Sequence, residues 1–247
     1  MKLDSLIAAR KNKNIYRDGD RCVKVFSSEF SKQDVLNEAL NQARVEETGL
    51  KVPKILEVTM IDGKWAIVTE FIEGKTLAQL MSENPEKKDK YIELLVDLQL
   101  HVLSKNCPLL NKLKDNLSRK VCLTDLDATT RYDLYTRLDT FPKHSMLCHG
   151  DFHPANIIMT EGGTPYIIDW SHATKGNATA DAAITYINFR LSGDEDAAEK
   201  YLELFCSKAN ISRDYLMKWV PIVSAAQSVS ASEEDKETLF SWVNEMN

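Results

Sequence analysis

Cysteine is sparse and shows no pairing pattern: five of 247 residues, at positions 22, 107, 122, 148 and 206, with no Cys-x-x-Cys. An odd, scattered set excludes a disulfide framework and points to free thiols in a reducing compartment, so the expected location is cytoplasmic. No run of five basic residues occurs, and 31 Lys and Arg stand against 37 Asp and Glu, a formal charge of −6. A protein that grips a phosphate backbone would carry a basic patch, so no nucleic-acid partner is expected. Long apolar runs are missing too. The uncharged stretch from Trp219 to Ser232 holds Pro221 and several serines. It is too short and too polar to span a bilayer, and no membrane partner is expected. The opening Met-Lys-Leu-Asp-Ser has an acid at position 4 and only four apolar residues after it, which is not a signal-peptide pattern. Nine glycines form no Gly-x-Gly, so a glycine-rich phosphate loop of the protein-kinase kind is absent.

What remains is ordinary for a globular chain: 43% hydrophobic and 28% charged residues, enough for a sizeable core. The length suits one large domain or two lobes. Turn signals organise the first third. Asp18-Gly19 sits between Ile15–Arg17 and Arg21–Phe26, and Asp62-Gly63 between Ile55–Met60 and Trp65–Phe71. Asp-Gly between apolar runs predicts a hairpin. Between these pairs, Ser31 with Asp34 resembles a capping box. Val35, Leu36, Ala39, Leu40 and Ala43 form a helical stripe, with Glu38 off its centre and Glu46 nearer to it.

Beyond Glu73-Gly74-Lys75 the pattern turns helical. Thr76 with Gln79 reads as a second capping box. Asn84-Pro85 reads as a helix start, followed by Tyr91, Leu94, Leu95, Leu98 and Val102 at helical spacing. One or two further helices are expected within 112–138, and more from about Ala180 onward. A third hairpin interrupts them: Ile157–Met159, a turn at Gly162-Gly163, then Tyr166–Ile168. The expected class is α+β, with a small lobe at residues 1–72, a larger helical lobe at 73–247 and a hinge near 70–75.

The chemistry concentrates in Cys148-His149-Gly150-Asp151-Phe152-His153-Pro154-Ala155-Asn156, followed past the third hairpin by Ile168-Asp169-Trp170. Pairing the hairpin strands brings Asn156 and Asp169 together at its open end, one loop from Asp151. An amide oxygen and a carboxylate are hard donors suited to Mg²⁺. A further carboxylate can accept or orient a hydroxyl proton. These are the parts that phosphoryl transfer needs. His149 and His153 also have a zinc-like spacing, but Gly150 and Pro154 argue against the helix such a site would use.

This set resembles the motifs of the aminoglycoside phosphotransferase and choline kinase-like family. The resemblance implies a two-lobed, protein kinase-like fold with an antiparallel N-terminal sheet. It implies Asp151 as catalytic base and Asn156 with Asp169 as Mg²⁺ ligands. Val23-Lys24-Val25 is similar to the family's strand lysine, whose amine contacts phosphates, and Glu38 to the acid that pairs with it. Thr69 to Gly74 resembles the hinge, so Glu70, Phe71 and Ile72 would present backbone groups to adenine. Asp181 is similar to an acid that braces the catalytic loop. His149 is expected to fix that loop, and His153 to line the acceptor side. His101 is expected to pack among leucines, and Trp170 and Trp219 to lie in the core.

The chain departs from the pattern at Lys11-Asn12-Lys13-Asn14, where the phosphate-covering segment has two lysines and no glycine. The hinge does not distinguish ATP from GTP. The implied activity is ATP- and Mg²⁺-dependent transfer of the γ-phosphate to a hydroxyl of a small molecule, such as an aminoglycoside, choline or a related metabolite. An atypical small protein kinase and a non-catalytic nucleotide-binding module are the competing readings. Asp-Trp in place of Asp-Phe-Gly, and the absence of Ala-Pro-Glu, argue against the protein kinase. The joint presence of Lys24, Asp151, Asn156 and Asp169 argues against the inert module. Glu233-Glu234-Asp235 reads either as a docking point for a cationic acceptor or as a solvated helix start.

Overall fold

The computed structural model describes residues 5–10 and 12–244. Residues 1–4, Lys11 of the phosphate-covering segment and residues 245–247 lie outside the described residues. The chain forms two compact units. One comprises the chain up to Glu83 together with Pro154–Ala173; the other comprises Asn84–His153 and the chain from Thr174 onward.

The first unit is built on five antiparallel strands: β1 (Ser5–Arg10), β2 (Lys13–Asp18), β3 (Arg21–Phe26), β4 (Ile55–Ile61) and β5 (Lys64–Glu70), in the spatial order β1-β2-β3-β5-β4. Both Asp-Gly signals fall at hairpins. Asp62 and Gly63 both have positive φ, the backbone of a two-residue loop between Ile61 and Lys64. At the first hairpin the loop is Gly19-Asp20, one residue later than the sequence suggests, because Asp18 still pairs with Arg21. Strand β1 has no sequence signal of its own; it is a short apolar run added at the sheet edge.

Helix α1 (Lys32–Glu46) forms the expected capping box, Ser31 accepting from the Asp34 amide and Asp34 accepting from the Ser31 amide. Its inward face is not the one the leucines suggest. Val35, Glu38, Ala39, Asn41, Gln42 and Val45 are buried, whereas Leu36 and Leu40 are exposed. Val35 and Ala39 pack on Phe26 and Ile67, and that contact rotates Glu38 inward and the leucines out. β6 (Lys75–Thr76) and α2 (Leu77–Glu83) follow, and the Thr76–Gln79 box closes as expected. β6 pairs with β8 (Ile157–Met159), which pairs with β9 (Pro165–Ile167), so the third hairpin belongs to this unit.

The second unit is helical: α3 (Lys88–Leu103), α4 (Leu113–Cys122), α5 (Ala128–Thr140), α6 (Ala178–Leu191), α7 (Glu195–Ala209), α8 (Arg213–Met217), α9 (Val220–Ser228) and α10 (Glu233–Asn244). A two-stranded ribbon, β7 (Met146–Cys148) with β10 (Thr174–Gly176), runs among them. Asn84 makes no side-chain cap, and a 3₁₀ turn at Pro85–Lys87 precedes α3. His101 is exposed rather than packed among leucines, because Val102 and Leu103 carry the buried face there. Trp170 in the first unit and Trp219 in the second are fully buried. Glu233, Glu234 and Asp235 form the first turn of α10, with Ser232 accepting from the Asp235 amide and Lys236 paired to Glu233. All five cysteines are free thiols. Among the described residues, no helix is long and apolar enough to cross a membrane.

Candidate active site

In the first unit, strand alternation assembles one chemical face. Ile15 pairs with Lys24 and Lys24 with Ile67, while Cys22 pairs with Thr69. These five residues therefore lie on one side of the sheet, and all line a cavity of about 220 Å³. Ile158 and Ile168 line it too, and Lys24, Glu38, Asn156 and Asp169 supply its polar groups. Glu70, Phe71 and Ile72 border it, with Phe71 donating its amide to the Asp20 carbonyl. Apolar walls with a few polar groups suit a flat heteroaromatic ring bearing a charged tail.

The polar groups form one charge network. Lys24 donates to Glu38 Oε1 at 2.5 Å and to Asp169 Oδ1 at 3.3 Å. Asp169 Oδ1 also accepts from Ser171 Oγ at 3.0 Å, and Oδ2 accepts from Lys13 at 3.0 Å. Burial alone would lower the Lys24 ammonium, but Asp169 and Glu38 outweigh it and hold Lys24 above the ordinary lysine range. Burial likewise opposes ionisation of Asp169, yet Lys24 and Lys13 hold its carboxyl far below the usual carboxylate range.

Local structure places each member. Asp169 has φ 62° and ψ 63°, a left-handed backbone that a non-glycine residue adopts at a cost on the order of 1 kcal/mol or more. Buried Trp170 anchors the following turn by donating its indole N–H to the Ile167 carbonyl, and Asn41 of α1 donates to the Ser171 carbonyl. The Ile168 amide donates to the Asn156 carbonyl at 2.9 Å, which brings the Asn156 and Asp169 ends of the hairpin together. An ionised carboxylate beside a buried amide is a hard donor pair. Magnesium bound to a polyphosphate needs few protein ligands, because phosphate and water complete its shell. Both oxygens of Asp169 are taken by ammonium groups, Lys24 on Oδ1 and Lys13 on Oδ2.

In the second unit, the loop after β7 is held from below. His149 and Asp181 are fully buried. Gly150, at φ 81°, donates its amide to Asp181 Oδ1 at 2.7 Å, and Gln99 donates to Asp181 Oδ2 at 3.1 Å. Burial raises the Asp181 carboxyl, although these bonds and His149 pull against it. The Asp151 amide donates to His149 Nδ1 at 3.2 Å, and Thr185 donates to the Phe152 carbonyl at 2.8 Å. Asp151 follows on this loop; Asn188 Nδ2 donates to its Oδ1 at 3.2 Å, and His153 Nε2 lies 3.4 Å from its Oδ2. Gln227 donates to Asn188 Oδ1 at 3.2 Å. Lys120 of α4 feels Asp151 as well; burial and then Arg119 lower its ammonium, and Asp151 pulls it back up.

The residues singled out from the sequence therefore fall into two sets. Lys24, Glu38, Asn156 and Asp169 come together in the first unit, beside Glu70, Phe71 and Ile72. Asp151, His149, His153 and Asp181 come together in the second. Asn188, Gln227 and Lys120 had no local signal, since each lies on a helix with no motif around it. Lys13 is one of the two lysines of the glycine-free phosphate-covering segment.

The chain's relatives follow this geometry. The signature of the phosphotransferase enzyme family matches residues 7–219. No curated protein sequence matches the chain. Among solved structures, a thermostable variant of aminoglycoside phosphotransferase APH(4)-Ia in ternary complex with AMP-PNP and hygromycin B is similar at a TM-score of 0.72 and 15% identity, over 98% of this chain and 92% of that one. Choline kinase LicA from Streptococcus pneumoniae gives 0.68 and 14%, over 99% and 92%. A choline/ethanolamine kinase family protein from Mesorhizobium loti gives 0.67 and 14%, over 98% and 87%. At these identities the structures establish a shared kinase-like fold, and the signature spans most of the chain: this protein belongs to the phosphotransferase enzyme family.

Proposed function

We propose that the protein is an ATP- and Mg²⁺-dependent phosphotransferase that moves the γ-phosphate to a hydroxyl of a small molecule. The observation that carries this reading is the Lys24 ammonium held between Glu38 at 2.5 Å and Asp169 at 3.3 Å, at the wall of an apolar cavity. A lysine fixed in this way presents a positive charge to phosphates, and an ionised Asp169 beside Asn156 offers the metal a hard seat. Magnesium bound there would neutralise charge on the transferring phosphoryl group. Residues 1–72 would supply the nucleotide-binding lobe and 73–247 the catalytic and acceptor-binding lobe, with a hinge near 70–75. Since the Phe71 amide is committed to Asp20, adenine recognition would fall to the Glu70 carbonyl and the Ile72 amide.

Asp151 is the proposed base. It would accept or orient the proton of the attacking hydroxyl, with His149 and Asp181 fixing the loop and His153 facing the acceptor. Catalysis would then come from positioning and charge neutralisation. Neighbours of the same fold bind hygromycin B or are choline kinases, so amino-sugar and amino-alcohol acceptors head the candidates. Free thiols fit a cytoplasmic setting.

The test is ATP turnover measured against a library of hydroxyl-bearing acceptors, with the product examined by ³¹P NMR for a new phosphoester. Acceptor-dependent ADP release with a phosphoester signal supports the reading. Mg-ATP binding with no transfer to any acceptor favours the inert nucleotide module, and phosphorylation of protein substrates alone favours the protein kinase.

A further inference from the structure

The turn between β1 and β2 lacks the glycines that would let backbone amides approach a polyphosphate, and Lys13 stands beside it. Lys13 pairs with Phe26 across the β2–β3 ladder, and Ile15 pairs with Lys24. Lys13 and Ile15 share a strand face, so Lys13 and Lys24 are diagonal neighbours on the cavity side. Each sends its ammonium to a different oxygen of Asp169, at 3.0 Å and 3.3 Å. Lys24 is also locked by Glu38, whereas Lys13 reaches in from the strand end on a flexible four-carbon stem.

Charge counting gives this arrangement a consequence. Two ammonium groups, Lys13 and Lys24, balance two carboxylates, Glu38 and Asp169, so the cluster is neutral. A divalent cation arriving alone would add two positive charges beside two lysines in a half-buried site, where such repulsion is poorly screened. A magnesium nucleoside triphosphate is net anionic and brings phosphate oxygens that can take the Lys13 ammonium as Asp169 takes the metal.

We propose that Lys13 is a phosphate-binding residue that rests on Asp169 until a polyphosphate arrives, so that metal and nucleotide enter together rather than metal first. This rests on the kinase reading above. Lys13 replaces, with one mobile charge, part of what a glycine-rich loop does with backbone amides. It also keeps free divalent cations off Asp169.

Two affinities should then move in opposite directions when Lys13 is neutralised. Mn²⁺ alone, titrated into nucleotide-free protein and followed by loss of the free-ion EPR signal, should bind Lys13→Gln about tenfold more tightly than wild type. Mg-AMP-PNP, measured by calorimetry, should bind the same variant about tenfold more weakly. Lys13→Arg keeps the charge and should stay near wild type in both. Lys13 is half-buried at a strand start, and thermal melting reports whether the variants fold. If both affinities move the same way, or neither moves, Lys13 has no such role. If wild type itself binds no Mg-AMP-PNP, the kinase reading falls and takes this inference with it. Normal wild-type binding with an unaltered Lys13→Gln removes the Lys13 role alone.

Discussion

Asn188 on α6 donates its side-chain amide to Asp151 Oδ1 at 3.2 Å, while its own carbonyl oxygen accepts from Gln227 on α9, also at 3.2 Å. Asp151 lies on a loop, yet the group that aims its carboxylate lies 37 residues later and is itself aimed from a third element. A carboxylate that must meet a hydroxyl within hydrogen-bond reach needs this orientation, because misplacement of about 1 Å can cost on the order of a hundredfold in rate.

Asn188→Ala should therefore lower kcat by roughly ten- to a hundredfold and leave Mg-nucleotide affinity unchanged. Asn188→Ser, which can still donate, should recover part of the loss. Steady-state kinetics with calorimetry of Mg-AMP-PNP checks this. Equal losses in turnover and nucleotide binding would make Asn188 a general structural residue.

The Asp169 network should be visible in acid unfolding. Lys24 and Lys13 hold the folded Asp169 carboxyl below its unfolded value, so the pair contributes stability that is fully present above about pH 4–5 and lost as pH falls further. Lys24 is shifted up, so its contribution is lost only on the alkaline side, above roughly pH 10. The stability difference between wild type and Asp169→Asn, from urea melts, should stay flat from about pH 5 to 8 and shrink below about pH 4. A difference that does not change down to about pH 3 would mean that Asp169 is not held ionised by its partners.

Gly74 marks the entry to β6. A Cβ added there would collide with the Met159 backbone carbonyl, which cannot swing away as a side chain could. Gly74→Ala should cost about 1–3 kcal/mol, read as a lower urea midpoint with an unchanged m-value. An unaltered midpoint would show that β6 and β8 can separate without penalty.

Much of this was legible because it is local. The Asp62-Gly63 loop, the Ser31–Asp34 box and the Thr76–Gln79 box are each written within four residues, and each forms. The face of α1 was not. Leu36 and Leu40 suggest the inward side, yet Glu38, Asn41 and Gln42 turn inward because their partners are Lys24, the Ser171 carbonyl and the Pro53 carbonyl. Those partners sit on other elements, and no periodicity within the helix encodes them. The same holds for Asn188 and Gln227, which reach Asp151 only through the packing of α6 and α9. Strand β1 carries no turn signal or alternation of its own, because an edge strand needs only a few apolar residues and a neighbour to pair with.

Asp151→Asn tests the transfer reading most directly. The substitution keeps the shape of the side chain and removes its charge and its capacity to take a proton. Under conditions where chemistry limits turnover, kcat should fall by about 10²–10⁴, or roughly 3–5 kcal/mol in the barrier, with folding and Mg-nucleotide affinity near wild type. Asp169→Asn should instead weaken both turnover and Mg-nucleotide binding. Retention of more than about a tenth of wild-type kcat by Asp151→Asn would contradict the assignment of Asp151 as the base.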